Sequence, residues 1–256
     1  MSDSLDTHKL EREVKSMYRD VAVATDAEFH FETGRDLAER LGYDSDTLTP
    51  VPDEAIDSFA GVGYYFDMAA LEPRETVLDL GSGSGMDAFY AAMNVTETGS
   101  VTGVDMTPEQ VEKANDLAAH DGFHNVTFRE GYIEDLPFED ASFDAVISNG
   151  VINLSAEKDR VFEEAHRVLK PGGRVALSDI ISERQLPERI KSDADLWAAC
   201  IGGAERTDDY TGLIETAGFE GLELRENPRY EFVSDQAANA CQKYGVKSIS
   251  LTARKR

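Results

Sequence analysis

Cysteine is nearly absent from this 256-residue chain: there are two, alongside a single tryptophan. Two cysteines cannot build a disulfide framework. No run of about eighteen apolar residues occurs, which excludes a membrane-spanning helix. Basic residues are also scarce, with 25 Lys and Arg against 50 Asp and Glu and a formal charge of −25. Nucleic-acid binders neutralise phosphates with clustered cations, so a general DNA or RNA partner is excluded. The opening MSDSLDTHKLEREVKSMYRD lacks the basic start and apolar centre of a secretory leader. The expectation is a soluble cytoplasmic protein with no membrane partner.

Hydrophobic residues make up 41% of the chain, with 12 Phe and 9 Tyr, enough for a real core. The acidity runs along the whole chain, and only nine of the 25 basic residues are Lys. Two readings stand: a halophile's surface, where dense carboxylates hold water at molar salt, or an ordinary acidic protein.

Up to about residue 70 the pattern is one of short helices. Leu10, Val14, Met17 and Val21 recur at helical spacing, and Leu37, Ala38 and Leu41 follow. Pro50 and Pro52 mark a break before another short helix. Gly61, Gly63 and the trio Tyr64, Tyr65, Phe66 come next. Residues 1–70 therefore read as a helical cap or a lid, and 71–256 as the main domain.

From Thr76 strands alternate with helices. TVLDL, VTGVD, NVTFREG, FDAVISN and RVALSDII read as strands. GMDAFYAAM, a helix over 108–122 with Thr107 as N-cap and Pro108 at N1, and AEKDRVFEEAHRVLK read as helices between them. Helical stretches over 187–201, DDYTGLIETAGF and QAANACQKYG follow, with GLELRE and KSISLTARK as a terminal antiparallel pair. Repeated βαβ units predict an α/β fold, a parallel sheet with helices on both faces.

VLDLGSGSGMDA carries the chemistry. Gly81, Gly83 and Gly85 between a strand and a helix allow a tight turn and close approach of a ligand to the backbone. The open helix N-terminus favours a polar or anionic group. Asp105 ends the next strand twenty residues after Gly85, where a carboxylate can accept both ribose hydroxyls, and Asp79 stands where it could receive a ligand ammonium. The pattern points to a nucleoside cofactor. A dinucleotide parse, with Gly83, Gly85 and Ala88 as G-x-G-x-x-A, is also satisfied. The sequence after the third strand, GYIEDLPF, and the terminal β-pair speak against it.

In this order the motifs resemble the class I S-adenosylmethionine-dependent methyltransferases, which implies their Rossmann-like sheet. The resemblance implies that the loop Asp79, Gly81, Ser82, Gly83, Gly85 holds the methionine part of S-adenosylmethionine. Asp105 would take the ribose, Met106, Tyr132 and Ile133 would lie by the adenine, and Asn149 would face the methyl-transfer centre. More narrowly, VTGVDMTPEQVEKA, SNGVINLSAEKDRV, RVLKPGGRVALSDI and LWAACIGGAE look like the arsenite methyltransferases. EVKSMYRDVA resembles their helix whose tyrosine, here Tyr18, closes over the cofactor. In that family cysteine thiolates hold trivalent arsenic with its lone pair aimed at the sulfonium methyl. Proximity and orientation then supply most of the catalysis.

The chain departs from that family at two arsenic-binding positions. Gly150 and Val62 stand where cysteines are expected, and only Cys200 matches a family ligand. Arsenite would then need exogenous thiols. Cys200 as a buried small apolar residue is the competing reading. Cys241 is expected outside the pocket. His30 reads as a base, a soft ligand or a packing residue, His166 as structural, and Trp197 as pocket wall or core. No metal-ligand spacing is present. The expected function is methyl transfer to a small soft acceptor. The alternatives are a thiol, a lipid or quinone carbon, a non-catalytic cofactor-binding sensor, or a nicotinamide-dependent oxidoreductase.

Overall fold

The structure is a computed structural model that describes residues 7–23, 31–191, 196–197, 201–233 and 235–256. Short apolar runs ended by glycine or polar turns become strands. β1 (Thr76–Leu80), β2 (Ser100–Asp105), β3 (Val126–Glu130), β4 (Phe143–Asn149) and β5 (Leu169–Ile181) pair in parallel. β7 (Lys247–Lys255) runs antiparallel between β5 and β6 (Phe219–Glu226). The order is β3-β2-β1-β4-β5-β7-β6 in one seven-stranded sheet.

Helices cover both faces, as the alternation predicts. Val77, Val101 and Ile147 pack on one side against Phe89 of α6 (Met86–Val95) and Ala114 of α7 (Pro108–Asp121). Leu78, Val146 and Leu177 pack on the other against Phe162 of α8 (Lys158–Val168) and Ile214 of α10 (Thr207–Thr216). Each such buried side chain contributes roughly 1.5–3 kcal/mol relative to exposure. The remaining helices are α1 (Thr7–Val23), α2 (Arg35–Leu41), α3 (Ser45–Leu48), α4 (Asp53–Asp57), α5 (Phe66–Ala69), α9 (Glu188–Lys191) and α11 (Asp235–Tyr244). Among the described residues no helix is long and apolar enough to cross a membrane.

Two local expectations are corrected. The fifth strand begins at Leu169, not Arg174, so the PGG turn lies inside it. Leu169 pairs with Phe143, the register breaks, and pairing resumes at Arg174 with Ala145. Lys170 donates to Asp144 at 2.8 Å and pins the irregularity. Thr107 does occupy the N-cap of α7, but its side chain makes no capping bond. Its backbone N–H donates instead to Asp105 Oδ1 at 2.9 Å, tying the helix start to the end of β2. Of the helix expected over 187–201, residues 188–191 and 196–197 are helical, whereas Pro187 and Ile201, at its expected ends, are not. The side chain of Leu10 lies outside the described residues, whereas Val14 and Val21 are buried.

Candidate active site

β1 lies between β2 and β4, so the chain leaves the sheet centre in opposite directions from these strands. Their carboxyl ends border a crevice, the usual ligand position in such sheets. A cavity of about 570 Å³ opens there. Gly81, Gly83 and Gly85 line the turn from β1 to α6 with φ of 66°, 52° and 96°. All three lie in the left-handed region that glycine enters without strain. A Cβ on Gly81 would strike Val151, while one on Gly83 would meet nothing nearer than 3.9 Å. The loop is therefore tight on its inner side and open toward the cavity. Gly81 N and Ser82 N donate to Val104 O at 2.7 and 3.0 Å, anchoring the loop to β2.

Three aspartates line this crevice. Asp79 is 2% exposed, and its Oδ2 has no hydrogen-bond partner. Burial, with the neighbouring charges of Asp87 and Asp105, pushes its carboxyl well above the usual range. Asp105 accepts from Gly83 N and Thr107 N, each at 2.9 Å, and burial raises its carboxyl against those bonds. Asp87, in the first turn of α6, accepts from Tyr43 Oη at 2.6 Å, Tyr65 Oη at 2.9 Å and Asn149 Nδ2 at 3.0 Å. A buried carboxylate with three donors is satisfied; Asp79 Oδ2 is not.

Asn149 lines the cavity, but its amide is committed to the protein. Oδ1 accepts from Val62 N at 2.8 Å and Gly63 N at 3.3 Å, and Nδ2 also donates to Gly63 O at 3.0 Å. Its geometry is that of a clamp on the 61–63 segment.

α1 packs over the crevice. Val14 and Tyr18 line the cavity, and Val14 packs with Trp197, Tyr18 and Met106. Gln110 of α7 joins roof and loop: its Nε2 donates to Tyr18 O at 2.8 Å, and its Oε1 accepts from Ser84 Oγ. Lys113 donates to Ala22 O at 3.2 Å and to Ser58 Oγ at 2.8 Å. Tyr132, at 43% exposure, and buried Ile133 also line the cavity, together with Met106 and Ser82. Lys158 is buried, donates to Ser155 O at 2.6 Å, and lies 5.5 Å from the Trp197 ring. Burial lowers its ammonium to about 8.

Beyond Gly61, Asn149 and Val151 the surroundings turn apolar. Val62 is 1% exposed and belongs to a cluster with Ile180, Leu186 and Ile201. Gly150 is buried beside it at φ 74°. Cys200 and His30 lie outside the described residues. Cys241 sits in α11, where burial pushes its thiol up to about 11, and it does not line the cavity. His166 packs edge-on to Phe219 at 5.2 Å. Trp197 Nε1 donates to Leu154 O at 3.1 Å, placing it behind the roof. Among the described residues no group of three His, Cys, Asp or Glu side chains is arranged to hold a metal.

Sequence reading missed Asp87, Tyr43, Tyr65, Gln110 and Lys158. Thr107 to Gln110 has the form of a capping box, a signal that would have singled out Gln110 for the wrong role. The position of Asp87 in the turn after the glycine loop was the available hint for that residue.

A methyltransferase domain family model matches residues 71–218. An arsenite methyltransferase of Halobacterium salinarum is 44% identical over 225 residues, covering 88% of this chain and 57% of the relative. The arsenite methyltransferase of Mus musculus is 36% identical over 229 residues, covering 86% and 60%. The solved arsenic(III) S-adenosylmethionine methyltransferase of Chlamydomonas reinhardtii matches with a TM-score of 0.69 at 36% identity, covering 87% of this chain and 74% of that one. The chain belongs to the arsenite methyltransferase family of S-adenosylmethionine-dependent methyltransferases. It spans little more than half the length of those two curated relatives. The cofactor of the family is S-adenosylmethionine, and the crevice suits it: a cationic ligand answers the unpartnered carboxylate of Asp79.

Proposed function

We propose that the protein transfers a methyl group from S-adenosylmethionine to a small soft acceptor, in the manner of an arsenite methyltransferase. The observation that carries this reading is the buried, unpartnered Asp79 at the end of β1, with Asp87 and Asp105 rather than a cation beside it. Leaving such a group unpaired is costly, so a positively charged ligand is the natural complement.

In this reading Asp79 receives the ammonium of the cofactor and the open backbone of Gly81, Ser82, Gly83 and Gly85 follows its methionine part. Asp105, already oriented by Gly83 N and Thr107 N, takes the ribose, and Met106, Tyr132 and Ile133 flank the adenine. Bound S-adenosylmethionine supplies an electrophilic methyl on a sulfonium. Tyr18 and Val14 cover the crevice and exclude water, with residues up to 70 acting as a cap whose α1 opens as a lid. Asn149 is assigned to holding the 61–63 wall, because its amide has no capacity left for the reacting atoms. A soft acceptor with a lone pair needs no proton removed, which suits the apolar surroundings of Val62 among the described residues. Val62 and Gly150 support an acceptor that arrives with thiols of its own, Cys200 supplying at most one protein thiolate. A thiol acting as the acceptor itself is the second reading, favoured by the same two residues. The carboxylate excess supports a cytoplasm of high salt.

The test is S-adenosylhomocysteine release in molar KCl at fixed glutathione, with and without arsenite, after cofactor binding is established by calorimetry. Arsenite-dependent release is expected. Release with glutathione alone would transfer the assignment to a thiol methyltransferase, and absence of cofactor binding would overturn both readings.

A further inference from the structure

The wall segment carrying Val62 is held from behind by a buried polar network that no part of the cofactor crevice requires. Ser248 and Ser250 alternate on one face of β7, and Ser178 of β5 is the register partner of Ser250. All three serines are buried, at 3%, 0% and 1% exposure. Ser248 Oγ donates to Val62 O at 2.6 Å, and Ser250 Oγ donates to Tyr64 O at 2.9 Å. Ser178 Oγ lies 2.7 Å from Ser250 Oγ, while the Ser178 carbonyl accepts from Gly150 N at 2.8 Å. Both acceptor-side positions, 62 and 150, are thus tied to the β5–β7 pair.

A hydroxyl has one hydrogen to give, so each serine must be told which way to point. Asn227, in the turn after β6, does this for Ser248. Its Nδ2 donates to Ser248 Oγ and to Ser250 Oγ, each at 3.0 Å. Its backbone N–H donates to Ser248 O at 2.9 Å, which fixes the residue against β7. With the amide hydrogens spent on the two oxygens, the Ser248 proton is left for Val62 O, while Ser250 Oγ faces Asn227 Oδ1 at 3.1 Å as well as Tyr64 O. Gly63 packs so closely on the Asn227 amide that a Cβ there would collide with it.

We infer that Asn227 is a positioning residue for the acceptor, setting the Val62–Tyr64 wall by turning the Ser248 hydroxyl onto Val62 O. The inference rests on the proposed reading of that wall as the acceptor end. It makes a directional demand: an isosteric group that only accepts turns Ser248 away from Val62 O and competes more strongly with Tyr64 O for the Ser250 proton.

The deciding variant is Asn227→Asp, which keeps the shape and removes the two donated hydrogens. Hydrogen exchange of the free protein at the Val62 and Gly63 amides is expected to rise about tenfold or more, the scale of a buried carbonyl losing its donor. Turnover of arsenite with glutathione should show an apparent KM about tenfold higher, with S-adenosylhomocysteine affinity within about twofold of the parent. Ser248→Ala serves as a milder second variant should the first not fold, and it should speed exchange at Val62 alone. Unchanged exchange at these amides in the folded variant overturns the inference, as does a loss of cofactor affinity equal to the rise in KM. If the parent shows no arsenite-dependent turnover, the proposed activity fails while the exchange measurement still decides the role of Asn227.

Discussion

A Cβ added to Gly150 would stand 3.1 Å from Val62 Cγ1, closer than ordinary packing contact. The two positions at which the resemblance leads one to expect cysteines are therefore in direct contact. They also depend on each other, because a branched valine fills the space that a glycine leaves. Gly150→Cys alone should destabilise by about 1–2 kcal/mol for the left-handed φ of 74°, with the Val62 contact added. Val62→Cys removes one methyl branch, so the double variant should regain part of that loss. A double-mutant cycle by thermal unfolding under reductant checks this, and additive losses would contradict the contact. With cysteines at both positions, arsenite affinity should rise at least about tenfold, or about 1.4 kcal/mol. Quenching of Trp197, the single tryptophan, gives the readout.

Asp79 should make cofactor binding depend on pH. Its carboxyl is held well above the usual range in the free protein. A bound ammonium favours the ionised form, so binding expels a proton wherever the free carboxyl still holds one. Affinity for S-adenosylhomocysteine should rise with pH up to the free-protein value and level off above it. The sign for stability is opposite: a raised carboxyl loses stability as pH climbs from the ordinary carboxylate range through its folded value. Calorimetry in two buffers of different ionisation heat should report proton release, and Asp79→Asn should abolish it while weakening binding. Equal proton release in parent and variant would remove Asp79 from this role.

Asp87 is the point where four distant segments meet, through Tyr43, Tyr65 and Asn149. Asp87→Asn keeps the shape but turns an amide N–H toward donors. A cost of about 2–3 kcal/mol in urea unfolding is expected, the penalty for a broken buried network. A loss under about 0.5 kcal/mol, the level of a neutral surface change, would show the network to be dispensable.

The hub also marks the limit of what sequence patterns disclose. TVLDL and FDAVISN read as strands with the same bounds that the structure gives them, because short apolar runs ended by polar turns leave one solution. The glycine loop and Asp105 were legible for a similar reason: their spacing is local. Residues 43, 65, 87 and 149 carry no such spacing, and only the sheet brings them together. Gln110 was hidden differently, since its capping-box position suits a local bond that it forgoes for Tyr18 and Ser84. The PGG turn failed as a boundary because the pairing of Leu169 with Phe143 outweighed it.

Gln110→Leu should loosen the roof without touching the sheet. The variant loses the bond to Tyr18 O and strands Ser84 Oγ. Limited proteolysis should cut within α1 several-fold faster, with cofactor affinity falling by about tenfold or less, the worth of roughly one hydrogen bond. Unchanged cleavage would mean that Lys113 and the Val14–Trp197 contact hold α1 by themselves.

Net charge sets how stability should respond to salt. With −25 charges, screening that reaches ~30 Å at 10 mM salt leaves the folded chain repelling itself. The urea midpoint should climb steadily from 10 mM to molar KCl. A flat profile would make the acidity incidental.

The two halves of the crevice differ in how far along the chain they reach. Gly83 and Asp105 are 22 residues apart, whereas Ser248 and Val62 are separated by 186. Closing the longer loop is about three doublings dearer, or ~2 kcal/mol of chain entropy. The cofactor cradle is thus cheap to assemble and the acceptor wall expensive, so during refolding nucleoside binding should return before hydrogen-exchange protection at Val62, which stopped-flow mixing with pulse labelling can time.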